Sequence, residues 1–127
     1  MSRSTFFKPV AFALVALSVG AALGALSASA APSKGDPAAG KKMFTVKCIA
    51  CHKVDGTGGV KLTGNPTPNW KNPKTWADPK HNDDFLRDCI TNGKLKSGMV
   101  AWGKTGQIKP AEVENLIAYI NTLAKKK

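Results

Sequence analysis

Two cysteines three residues apart, with a histidine directly after the second, constrain this chain more than any other feature: Cys48-Ile49-Ala50-Cys51-His52. On a helical turn, side chains three apart project from one side, so two thiols and an imidazole share one small volume. That spacing suits two thioether bonds to the vinyl groups on neighbouring pyrroles of a single haem, with His52 held against the iron as proximal ligand. Three other uses of the same residues fit less well. A structural zinc site built from Cys48, Cys51, Cys89 and a histidine lacks the second close ligand pair of zinc-ribbon spacing. A thioredoxin-like redox pair needs a βαβ context, and the pattern of this chain holds none. A plain Cys48–Cys51 disulfide leaves His52 unexplained. The motif therefore predicts one haem c, bound covalently through Cys48 and Cys51.

The first thirty residues read as a secretory signal peptide. Arg3 and Lys8 form a basic start, an apolar stretch runs from Val10 to Leu26, and Ala28-Ser29-Ala30 offers a small-residue cleavage site. The apolar stretch is interrupted by Gly20 and Gly24, which favours cleavage over retention as a membrane anchor. Residues 31–127 then form the mature domain. A domain of that size buries a limited core and needs a staple, a role that a large buried apolar cofactor fills. The expected compartment is the periplasm, or another site outside the inner membrane.

The chain carries a formal net charge of +11, and loss of the two basic residues in the first thirty leaves +9. Such a surplus favours acidic partners. No nucleic-acid-binding motif accompanies it, so nucleic acid is not expected. The lysines, spread from Lys34 to Lys127, fit either a solubilising coat or a docking ring for acidic redox proteins. The three cysteines argue against a simple disulfide framework. Cys89 shares a helical face with Phe85, Leu86 and Ile90 and reads as a small buried hydrophobe.

The fold expected is all-α, three to four helices and loops wrapped around the haem. Asp36-Pro37 pairs an N-cap with a proline at the first helical position, so a first helix runs to about Cys48. Residues 55–79 are rich in Gly, Pro, Asn and Lys and read as loop, with a short helical turn near Trp70 to Trp76. A second helix is predicted from about Asp83 to Thr91, capped by Asn82 or Asp83 and stopped by Asn92-Gly93. The last opens at Pro110, with Val113, Leu116, Ile117, Ile120 and Ala124 as its buried stripe. Glu112 and Glu114 near its start and Lys125-Lys126-Lys127 at its end suit the helix dipole.

The sixth position on the iron has Met99, Met43 and His81 as candidates, or stays open. Met43 lies on the first helix, without reach across a haem. Met99 lies in a glycine-flanked loop about fifty residues past the attachment motif. A neutral thioether there favours ferrous iron and suits reversible one-electron transfer, so Met99 is the expected ligand.

Taken together, these residues resemble the class I c-type cytochromes over Gly35 to Leu123. In that family a glycine and an aromatic on the first helix meet an aromatic on the last, and Gly40, Phe44 and Tyr119 match them. The methionine loop resembles Met99-Val100-Ala101-Trp102, with valine where the family has proline, a change that loosens the loop. The resemblance implies the cytochrome c fold, histidine/methionine ligation by His52 and Met99, and a proline carbonyl that accepts from the second ring nitrogen of His52. Pro68 is the best match for that proline and Pro66 the alternative. Trp70, Trp76 and Trp102 are candidates for lining the haem or bonding its propionates through their indole N–H groups. The implied function is a one-electron carrier between redox partners rather than an enzyme. Its rivals are a haem subunit of an oxidising complex, acting for example on sulfur compounds or metals, and a haem-based ligand binder.

Overall fold

The computed structural model describes residues 34–124; the proposed leader and the three C-terminal lysines lie outside them. Five α-helices follow in order: α1 Pro37–Lys47, α2 Ile49–His52, α3 Pro73–Ala77, α4 Asp83–Asn92 and α5 Pro110–Ala124, with a 3₁₀ turn at Leu95–Ser97. No strand occurs among the described residues, only an isolated bridge between Lys94 and Met99. No helix among them is long and apolar enough to cross a membrane.

Each helix start follows from local chemistry. The Asp36 carboxylate accepts from the Ala38 amide at 2.8 Å, with Pro37 at the first helical position. Asn82 accepts from the Phe85 amide at 2.9 Å and caps α4, which Gly93 ends at φ 71°. Glu112 folds back to accept from the Lys109 amide at 2.7 Å, half of a capping box at the start of α5. The short turn expected around Trp70–Trp76 lies slightly later, because Asn72 caps Pro73 and sets the start of α3 there.

The frame is α1 crossed over α5. Gly40 rests against the carbonyl of Asn115 and the Cβ of Tyr119, and Gly35 against the backbone of Glu114. With main chain on main chain, Phe44 meets Tyr119 edge-on at 5.2 Å between ring centroids, both rings buried. The Asn115 side chain accepts from the Asp36 amide at 2.7 Å and pins the entry to α1. Helix α4 docks on α5 through Arg87, whose Nε and Nη2 donate to the two carboxylate oxygens of Glu114 at 2.6 and 3.1 Å. A paired guanidinium of this kind is held protonated by its partner carboxylates, Glu114 first and Asp84 second.

The buried stripe of α5 is Val113, Leu116, Ile117, Tyr119, Ile120 and Leu123. Ala124, expected in that stripe, is only half-buried, because Leu123, three residues after Ile120, takes the inward position. Ile108 is also fully buried although it precedes the helix. Its amide is held by the Trp102 carbonyl at 3.2 Å, which folds the loop inward.

Replacing Gly40 by Ala puts a methyl group into the Asn115 backbone and forces the two helices apart. The variant should lose about 1–3 kcal/mol of stability, the usual cost of overpacking, read as a lower urea midpoint with an unchanged slope.

Candidate haem site

The turn that carries the motif is a continuation of α1. The Cys48 amide donates to the Phe44 carbonyl at 2.9 Å, and the His52 amide donates to the Cys48 carbonyl at 2.9 Å. Cys48 and Cys51 therefore share a helical turn, and neither they nor Cys89 are joined in a disulfide. All three border a single cavity of about 430 Å³, together with His52, Met99, Pro66, Pro68, Trp70, His81 and Trp102. That volume falls within the roughly 300–1,000 Å³ typical of cofactor sites.

The wall next to the motif is built by a loop that needs glycine. Gly58, at φ 59°, has Pro68 and Thr67 carbonyl oxygens where a Cβ would be. Its amide donates to the His52 carbonyl at 3.1 Å, and the Thr67 hydroxyl donates to the Cys51 carbonyl at 2.7 Å. Pro68 is thus sewn directly beneath the attachment turn. Trp70 is buried at 4 % exposure, and its amide donates to the Gly56 carbonyl at 2.9 Å.

Met99 is held more firmly than the loss of the family's proline suggests. Lys94 and Met99 exchange two backbone hydrogen bonds of 3.1 Å, around a 3₁₀ turn closed by Gly98 at φ 80°. Beyond the methionine, the Gly103 and Lys104 amides donate to the carbonyls of Ile90 and Thr91 at the end of α4, at 3.3 and 2.9 Å. The loop that Val100 was expected to loosen is clamped at both ends. Met43, by contrast, packs against the core and does not border the cavity.

The imidazole of His52 is mostly buried, and desolvation lowers its pKa below the ordinary value, which favours the neutral, metal-ligating form. Its Nδ1 is buried without any hydrogen-bond partner. The bond expected from this nitrogen to the Pro68 carbonyl, or to that of Pro66, is therefore not made, and the Phe44 ring lies beside the imidazole at 6.4 Å between centroids. Burial likewise pushes the Cys48 thiol up to about 11, partly offset by Lys47.

The tryptophans divide. Trp70 and Trp102 border the cavity, whereas Trp76 does not, and its indole N–H is spent on the Trp70 carbonyl at 2.6 Å. Trp102 lies under the Lys47 ammonium, 5.2 Å from its ring centroid. Lys47, Lys94, Leu62 and Cys89 also line the cavity and were not singled out as site residues from the sequence. Leu62 and Lys94 gave no signal, since each falls in an irregular stretch with no period to place it. Among the described residues, no group of three or more His, Cys, Asp or Glu side chains is arranged to hold a metal ion.

A largely apolar chamber inside an all-helical shell, with two thiols and a neutral imidazole on one turn of its wall, is the site of a covalent haem protein. Residues 35–120 match the family described as "Cytochrome C oxidase, cbb3-type, subunit III". The cytochrome c6 of Rippkaea orientalis (strain PCC 8801 / RF-1) is 35 % identical over 86 residues, covering 68 % of this chain and 69 % of that protein. The cytochrome c6 of Diacronema lutheri is 30 % identical over 86 residues, covering 68 % and 94 %. The FixP subunit of the cbb3-type cytochrome c oxidase of Bradyrhizobium sp. (strain ORS 278) is 33 % identical over 91 residues, covering 69 % of this chain but 28 % of that subunit. The chain belongs to the class I c-type cytochromes. Its cofactor is haem c, and the mainly apolar cavity, bordered by Cys48, Cys51, His52 and Met99, fits that group.

Lys53, directly after the motif, adopts φ 59° and ψ 154°, a region used almost only by glycine. Its side chain is exposed. Lys53→Gly should therefore stabilise the haem-loaded protein by about 1 kcal/mol, measured as a higher urea midpoint.

Proposed function

We propose that this cytochrome is a one-electron carrier between redox proteins. The observation that carries the reading is the convergence of Cys48, Cys51, His52 and Met99 on one enclosed, mainly apolar cavity. Haem c, when bound, supplies a reversible ferric/ferrous couple. Cys48 and Cys51 would tether it as thioethers, His52 would be its proximal ligand and Met99 its distal one. The chain's own task is then to keep the site rigid. Clamping of Met99 to Lys94 and to the end of α4 limits movement between the two oxidation states, and burial of the walls by Leu86, Ile90, Leu116 and Ile120 excludes water.

The clamp speaks against the ligand-binding reading, which needs an open sixth site. Among the described residues, the cavity wall holds no arginine and no carboxylate for peroxide activation. Partner choice follows from the mouth of the cavity. Leu62 and Val100 border it and are exposed at 53 % and 42 %, and Lys47 and Lys94 flank them. An apolar lip with cationic neighbours suits brief docking of an acidic redox protein. The leader pattern of residues 1–30 supports export and a mature domain of residues 31–127 in the periplasm. Neither nucleic acid nor stable membrane insertion of the mature domain is part of this function.

Two measurements test the reading. The oxidised protein should show the weak red charge-transfer band of iron–methionine sulfur, and Met99→Ala should abolish it; a high-spin wild-type spectrum, or a band that survives the substitution, would sink the assignment. Electron-transfer rates with an acidic partner should fall as ionic strength rises through the range where screening becomes strong, and salt-independent rates would remove the docking claim.

A further inference from the structure

Met99 shares its position with a charged neighbour. It is paired with Lys94 in an antiparallel bridge, each amide donating to the other's carbonyl at 3.1 Å. Residues directly opposite in such a bridge send their side chains to the same face, with Cβ atoms roughly 5 Å apart. Both side chains accordingly border the haem cavity. A flexible four-carbon stem with a strongly hydrated ammonium head therefore starts beside the thioether that is to meet the iron.

Contacts to α4 turn that stem aside. Lys94 Nζ donates to Asp88 Oδ2 at 2.8 Å and lies 5.5 Å from the centroid of the Phe85 ring. The carboxylate is itself held, because its other oxygen, Oδ1, accepts from Asn92 Nδ2 at 2.8 Å, four residues on along the same helix face. Asp88 is exposed and is not part of the cavity wall, so it meets neither the haem nor Met99. The main chain between the two residues of this arrangement has no slack. Gly93, at φ 71°, has the Met99 carbonyl oxygen and the Ala101 amide nitrogen where a Cβ would be. Helix α4 is anchored to α5 in turn, through Arg87 and Glu114, so Lys94 is held against a fixed frame.

We propose that Asp88 is a positioning residue for Met99: by holding Lys94 along α4, it keeps the shared face of the bridge clear and the thioether directed into the cavity. The proposal rests on the reading of Met99 as distal ligand given above. Asp88 acts only through Lys94. An exposed ion pair adds little to global stability, so its effect here is local, on which of two neighbouring side chains occupies the site.

The test uses the mature, haem-loaded ferric protein, with imidazole added to compete for the place of Met99 and the iron–methionine sulfur band as the readout. Asp88→Ala should lower the imidazole concentration that removes half of the band by about three- to fivefold, the size expected of one such pair. Asp88→Glu should restore most of the loss. Asp84→Ala, which removes a charge from the same helix without touching Lys94, should leave the midpoint where it is. Lys94→Gln removes the partner, and in that background Asp88→Ala should change nothing further. Wild-type resistance to imidazole in Asp88→Ala would overturn the proposal. So would an equal effect of Asp84→Ala, or an Asp88 effect that keeps its full size in the Lys94→Gln background. A wild type without covalent haem, or without the band, would overturn the haem and ligand reading itself rather than the role of Asp88.

Discussion

The approach of α1 to α5 is set by main chain, because Gly40 lies on the Asn115 carbonyl with no side chain between them. Everything at the site is measured from that crossing. One turn after Gly40, Phe44 reaches Tyr119, and one turn after Phe44, Cys48 arrives at the cavity. Because α2 is joined to α1 through the hydrogen bonds of Cys48, Cys51 and His52 inherit the same placement. A wider crossing would carry the attachment turn away from Leu116 and Ile120, the α5 residues that form the cavity floor.

From this frame the remaining walls are hung by hydrogen bonds rather than by extensive packing. Gly58 and Thr67 bind the Pro68 loop to the carbonyls of His52 and Cys51, and Lys94 binds Met99. Arg87 and Glu114 hold α4, which contributes Leu86, Cys89 and Ile90 to the wall, against α5. The result is a core with an apolar chamber at its centre, and a core of this size gains much of its burial only when that chamber is filled. Structure and cofactor are in this sense one problem: the residues that would hold the group, Cys48, Cys51, His52 and Met99, all line that chamber.

Much of this was legible in the sequence because it rests on local rules. Asp36-Pro37, Asn82 and Pro110 mark helix starts through capping chemistry that needs no tertiary information, and all three were read correctly. The pair Phe44 and Tyr119 came from family resemblance, and packing accounts for it. What escaped depended on contacts distant in sequence. Ile108 is an isolated apolar residue with no periodic neighbour, and Leu123 lost its place to Ala124 when the stripe was extended by one residue too many. The stiffness of the Met99 loop comes from a bridge that no propensity encodes. The His52–Pro68 bond was expected on resemblance, and the structure leaves Nδ1 unpaired.

The central claim is that Cys48 and Cys51 are consumed in thioether bonds while Cys89 is not. Thiol titration of the purified protein, unfolded in denaturant after treatment with a reductant that opens any disulfide, tests it most directly. One reactive thiol per chain, with haem absorbance that stays with the polypeptide, is the result the account predicts. Three reactive thiols and a colourless chain would contradict it.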